Sequence, residues 1–247
     1  MRYRELRERV YRANMDLQRH GLVVFTWGNA SEFDADQGVF AIKPSGVAYE
    51  DLAPELMVVC DLDGAVVDGS LNPSSDTPTH AALFRAWGET VRGVVHTHSA
   101  AAVSWAQSAR DIPLYGTTHA DYFYGPVPCM RGLSAAEVEA AYERSTGEVI
   151  VQGFSERGLD PVAVPGALVR NHGPFTWGAD AKQAVYHAVV LEEVASMARD
   201  TELIAPGASP APTYIQDKHY LRKHGPGAYY GQPGAGAREA AATLGGA

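Results

Sequence analysis

Apolar side chains open the chain in a helical rhythm. Leu6, Val10, Ala13 and Leu17 fall at spacings of four, three and four, which places them on one face of a helix from Tyr3 to His20, stopped by Gly21. Leu22 to Thr26 is β-branched and aromatic and predicts a strand running into Trp27-Gly28-Asn29-Ala30-Ser31. A second strand, Val39 to Ile42, ends in Lys43-Pro44-Ser45-Gly46. Leu56 to Asp61 and Ala65 to Asp68 flank Asp63-Gly64, a hairpin signal. Turn residues from Pro73 to Pro78 then precede a helix over Thr79 to Trp87.

The second half alternates in the same way. Gly93-Val94-Val95-His96-Thr97-His98-Ser99 predicts a strand, followed by a helix from Ala100 to Ala109 and a short strand near Ile112 to Tyr115. Ser134-x-x-Glu137 is a capping box that opens a helix through about Glu143. Val149 to Arg157 predicts another, closed by Gly158. Ala167 to Arg170 is a strand that delivers His172, and Asp180-x-x-Gln183 opens the longest helix, roughly Ala181 to Ala198. A last helix covers about Tyr214 to Lys223. Strands in both hairpin and helix-separated settings predict an α/β fold with a mixed or largely antiparallel sheet.

Composition narrows the picture. A chain of 247 residues with 46% hydrophobic and 20% charged side chains has the length and balance of one large α/β domain or two small ones. We expect one domain over 1–231, and a Gly/Ala-rich tail over 232–247 that cannot bury a core. A net charge of −9 without a Lys/Arg-rich run gives no support for nucleic-acid or anionic-membrane binding. Cys60 and Cys129 form no CxxC pattern, which excludes a cysteine-based zinc site and predicts reduced thiols. No apolar run reaches membrane-span length, and the N-terminal stretch lacks the h-region of a signal peptide and carries Glu5 and Glu8, unlike acidic-poor transit peptides, which predicts a cytoplasmic protein.

The chemistry centres on His96 and His98. On a strand, residues two apart share a face, so both imidazoles can converge on one divalent cation. With nine histidines, roughly one such chain in three would carry an HxH by chance, so the pair needs company. His172, at a strand exit before Gly173-Pro174, supplies a third nitrogen, the ligand count of catalytic zinc sites that keep an open position. Asp76 precedes a helix and reads as its N-cap, as a carboxylate facing the metal (a fourth ligand or a base), or as both at once. Gly28-Asn29, Ser45-Gly46 and Ser74-Ser75 offer backbone N–H groups and hydroxyls to an anion, with Lys43 adding positive charge. Neither GxGxxG nor GxxxxGK[ST] occurs. His187, on the apolar side of its helix, reads as a core-edge histidine.

Six stretches together resemble the class II aldolase family, in its sugar-phosphate epimerase branch. They are Thr26 to Asn29, Ile42 to Gly46, Pro73 to His80, Val95 to His98, Thr117 to Gly125 and Asp217 to Gly225, within a likeness running from about Arg4 to Gln232. The resemblance implies a three-layer α/β/α fold around a mostly antiparallel sheet, and a homotetramer with active sites at subunit interfaces. It implies zinc, or another divalent metal such as manganese, on His96, His98 and His172 with Asp76 beside it. Gly28, Asn29, Lys43, Ser45, Gly46, Ser74 and Ser75 match the substrate-phosphate set, and Asp121 and Tyr230 match two acid/base groups.

The activity implied is inversion of L-ribulose 5-phosphate at C4 to D-xylulose 5-phosphate by retro-aldol and aldol steps through a metal-held enediolate, in pentose catabolism of the arabinose kind. Related fuculose- and rhamnulose-phosphate aldolases carry Glu where this chain has Asp76, which favours the epimerase. The alternatives are such an aldolase, a zinc-hydroxide hydratase or hydrolase, or a non-catalytic metal-binding module.

Overall fold

A computed structural model describes residues 2–230, so the expected tail at 232–247 lies outside the described residues. Eight strands form one sheet: β1 (Asn29–Asp34), β2 (Val39–Ile42), β3 (Val58–Asp61), β4 (Val66–Asp68), β5 (Gly93–His96), β6 (Cys129–Met130), β7 (Gly166–Val169) and β8 (Pro174–Gly178). Their order is β4-β3-β2-β1-β5-β8-β7-β6, and every neighbouring pair is antiparallel except β6 with β7. The helices are α1 (Arg4–Arg19), α2 (Thr77–Trp87), α3 (Ala100–Ser108), α4 (Thr117–Ala120), α5 (Ala135–Arg157), α6 (Ala181–Ile204) and α7 (Thr213–His224).

Both faces of the sheet are covered. Along β2, Val39 and Ala41 point to a cluster with Leu6 and Val10 of α1, while Phe40 and Ile42 point to one with Leu83 and Phe84 of α2 and Ile150 and Phe154 of α5. In a third cluster Ala30 and Val95 meet Ala13 and Leu17 of α1 and Ala184 and Ala188 of α6. The period-2 alternation of a strand thus feeds two apolar layers. This is the expected three-layer α/β/α arrangement.

Several boundaries move. No strand forms over Leu22 to Thr26. Phe25 instead takes a left-handed conformation (φ 54°) in a turn closed by Trp27 N–H to Val24 O, and pairing starts only at Asn29. The expected strand near Ile112 to Tyr115 is a single bridge from Ile112 to Val127. Strand β8 escapes sequence patterning because it opens on Pro174, tolerated as a first strand residue that need not donate. The helices expected after Ser134 and over Val149 to Arg157 are one element, α5, broken at Ala141 (φ −167°, ψ 71°). Helix α6 continues to Ile204, past the expected Ala198.

Candidate metal and phosphate site

Strand β5 carries His96 to its last position, where it pairs with Asn29 of β1 and Phe175 of β8. The strand ends there, so His98 lies beyond it and not on a shared strand face as the spacing predicts. Its nitrogen still arrives: His98 Nε2 is 3.0 Å from His96 Nε2. The turn after β7 brings in His172, and one nitrogen from each of the three rings lies within 4.8 Å of the others.

The donor set fits a cation. His96 Nδ1 donates to Pro174 O at 2.9 Å, which fixes the tautomer and leaves the Nε2 lone pair facing His98. Two nitrogens on one tetrahedral zinc stand about 3.3 Å apart, close to the separation seen here. Burial, and then the neighbouring His96, push His172 down to about 3 and also lower His98, so both rings are held neutral, as ligation requires.

Asp76 begins α2 but does not cap it through its side chain. The carboxylate turns inward and accepts from Asn29 Nδ2 at 2.6 Å. Burial raises its pKa, yet His96, His80, the Asn29 hydrogen bond and His172 hold it below the ordinary carboxylate range. Asp76 thus stands at the N-cap position of α2 while its carboxylate turns to Asn29, and the clustered donor atoms come from the three histidines alone. Asn29 also donates to Ser74 Oγ at 3.0 Å, and its buried Oδ1 has no partner among the described residues. Behind it His80, fully buried and lowered to about 3 by that burial, meets Ser31 Oγ.

Three loops close on the same space. The segment after β2 is zipped to the segment before α2 by Ser45 N–H to Asn72 O and Ser74 N–H to Lys43 O, with a bridge between Pro44 and Pro73. Gly28 is required twice over: its φ is +78°, and a Cβ there would stand 2.9 Å from His96 O. Lys43 is only 2% exposed, and its Nζ donates to Val47 O and Pro44 O. No carboxylate of the described residues pairs with it, and burial lowers its pKa to about 8. A buried cation without a counter-charge is costly unless an anion arrives.

All of these residues line one cavity of about 800 Å³: Gly28, Asn29, Lys43, Ser45, Gly46, Ser74, Ser75, Asp76, His96, His98 and His172. Asp121 and Tyr230 do not line it. Asp121 sits at the end of α4 and meets three α7 side chains, His219 Nδ1 at 3.0 Å, Arg222 Nη2 at 3.0 Å and Lys223 Nζ at 3.3 Å. Burial raises its pKa, but these partners together hold it lowered. The Tyr230 ring lies under the Arg222 and Lys223 cations and is 56% exposed. Sequence reasoning missed Trp27, Gln107, Tyr142, Glu143 and Asn171, which also line the cavity. Tyr142 and Glu143 reach it because α5 breaks at Ala141, a bend no residue type announces. His187 is buried, with Nδ1 against Trp177 O, and is no ligand of this cluster.

A fold of this kind with three convergent imidazoles defines a class. Residues 8–199 match the family model for the class II aldolase and adducin N-terminal domain, and the chain belongs to the class II aldolase family. Within it, the chain is 54% identical over 228 residues to the L-ribulose-5-phosphate 4-epimerase UlaF of Salmonella paratyphi A (strain ATCC 9150 / SARB42), and equally to that of Salmonella typhi. The match covers 92% of this chain and 99% of each relative. Among solved structures, an L-fuculose 1-phosphate aldolase superposes with a TM-score of 0.73 at 19% identity, covering 89% of this chain and 96% of the other. An aldolase II superfamily protein from Pseudomonas syringae superposes with a TM-score of 0.74 at 18% identity, over 97% and 90%. At such identities these two structures speak for the fold alone.

Proposed function

We propose that the protein interconverts L-ribulose 5-phosphate and D-xylulose 5-phosphate by inverting C4, using zinc held by His96, His98 and His172 with Asp76 beside it. The observation that carries this reading is one cavity holding both a three-imidazole cluster and an uncompensated Lys43 ammonium among hydroxyls and open amides. A hydrolytic zinc site would need the first and not the second. The 54% identity to curated epimerases selects the reaction within the family.

The C4–H bond is β to the C2 ketone and not acidic, so direct deprotonation is unfavourable and breaking C3–C4 is the accessible route. His96, His98 and His172 would hold a divalent cation, which would supply Lewis acidity for that cleavage. Lys43, Ser45, Gly46, Ser74, Ser75, Gly28 and Asn29 hold the 5-phosphate, which fixes the aldehyde half while the bond is broken. Asp121 and Tyr230 take the proton from the C4 oxygen and return it, one in each orientation of the aldehyde. The anchored aldehyde rotates and the bond re-forms on its other face.

In this reading Asp121 and Tyr230 reach the cavity from a neighbouring subunit of a homotetramer. Support comes from α7, which carries the His219, Arg222 and Lys223 side chains around Asp121 and has no buried residue of its own. We place the enzyme in the cytoplasm, in pentose-phosphate catabolism such as that of arabinose. The test is incubation with L-ribulose 5-phosphate and, separately, L-fuculose 1-phosphate. Formation of D-xylulose 5-phosphate without fuculose-phosphate cleavage is expected; cleavage without epimerisation would reject the assignment in favour of an aldolase.

A further inference from the structure

The segment Val24 to Trp27 is built at a cost that neither ligation nor phosphate binding explains. Phe25 is a bulky residue in the left-handed region (φ 54°), and its ring is 78% exposed, so no core contact accounts for the strain. That ring meets Trp27 edge-on, with centroids 5.9 Å apart and planes at 79°. Trp27 lines the cavity, and its ring stands 6.2 Å from that of His98. The backbone beneath is pinned by the buried Tyr49 hydroxyl, which donates to Gly28 O at 3.0 Å and lies 3.3 Å from Trp27 O. The same Tyr49 ring faces the Lys43 ammonium at 5.0 Å. Trp27, half exposed, thus lines the cavity beside His98, and its backbone is tied through Tyr49 to the Lys43 side of the same cavity.

We propose that Trp27, buttressed by Phe25, is the wall that retains the severed aldehyde, a specificity-determining residue that separates epimerisation from net cleavage. The inference rests on the reaction proposed above. Midway through it the C3–C4 bond is broken, its electron pair stays with C3, and C4 has become a carbonyl after losing its hydroxyl proton to Asp121 or Tyr230. If the aldehyde leaves, or water delivers a proton to C3, the outcome is dihydroxyacetone plus glycolaldehyde phosphate instead of the epimer. The two-carbon aldehyde has to turn inside the cavity that holds both the phosphate loops and the histidines, and the indole lines that cavity beside His98. A flat aromatic face there lets a planar carbonyl turn while excluding water. A docking face for another subunit would explain an exposed Phe25, but not a tryptophan lining the cavity.

The experiment follows both products from L-ribulose 5-phosphate: D-xylulose 5-phosphate, and free glycolaldehyde phosphate trapped as it appears. Zinc content and circular dichroism establish that each variant is loaded and folded. Trp27→Ala is expected to raise the ratio of free aldehyde to epimerised product at least tenfold, and Trp27→Phe to return it most of the way. Phe25→Gly relieves the strain and removes the buttress without touching the wall, so it gives an intermediate ratio even if Trp27→Ala fails to fold. A ratio unchanged in Trp27→Ala and Phe25→Gly, whatever the loss of rate, would overturn the proposal. Failure of the underlying reading looks different: the wild-type protein would then make no D-xylulose 5-phosphate, and both inferences would fall together.

Discussion

Lys43 shows how a single residue can report on a ligand. Its ammonium is nearly sealed from water, bonded to carbonyls, and lowered to about 8 by burial. A depressed lysine pKa means that the folded state resists the charge, whereas an anion favours it. The two consequences have opposite signs. Folding stability rises as pH climbs from about 8 toward the unperturbed 10.5, where only the unfolded chain keeps the proton. Binding of inorganic phosphate weakens across the same window, because the free protein loses its cation. Calorimetric titration at several pH values checks the second, and Lys43→Met should abolish the pH dependence along with most of the binding. At this scale much of the cavity lining was legible, since the His96/His98 pair, Gly28-Asn29, Ser45-Gly46 and Ser74 to Asp76 lie in short local stretches, while His172 was placed only by its strand exit. Trp27 and Tyr142 were not legible, because an aromatic residue reads as packing until a cavity beside it is seen.

At the scale of elements, the helix that follows His98 is capped from a distance. Glu192 of α6 accepts from Ala101 N–H at 2.8 Å and Ala102 N–H at 2.9 Å, which satisfies two of the open donors at the start of α3. The loop carrying His98 runs directly into that start. Glu192→Ala should cost about 1–2 kcal/mol of stability, read from urea unfolding, and weaken zinc binding measured by competition with a chelator. Unchanged metal affinity would detach the cap from the site. Sequence patterning located most elements through local signals: helical spacing in α1, an apolar run in β2 and turn residues ahead of α2. It failed where backbone conformation decided the outcome. Phe25 turns left-handed and removes a strand, Ala141 breaks α5, and β8 begins at a proline. None of these leaves a periodic trace, and the Glu192 cap joins residues ninety positions apart.

The whole molecule, as a single chain, keeps the acid/base candidates away from the cavity. If subunits share sites, two dead enzymes can repair one another. Asp121→Asn should retain zinc yet lose turnover by about two to four orders of magnitude, and His98→Asn should lose both zinc and activity. Mixed under conditions that exchange subunits, the pair should regain a substantial fraction of wild-type activity, because some interfaces then combine an intact triad with an intact Asp121. Absence of any recovery, with exchange demonstrated by mass, would place Asp121 outside the site. Residue patterning gives no sign of such sharing, since a site shared between subunits would leave no local signal; the expectation rests on the family resemblance.

The central claim is that C4 inverts by breaking and remaking C3–C4, and the fate of the hydrogen on C4 tests it directly. L-Ribulose 5-phosphate turned over by the zinc-loaded protein in D2O is followed by proton NMR. The account predicts D-xylulose 5-phosphate that keeps its original hydrogen at C4, because that C–H bond is never broken. Deuterium at C4, or no D-xylulose 5-phosphate at all, would contradict it.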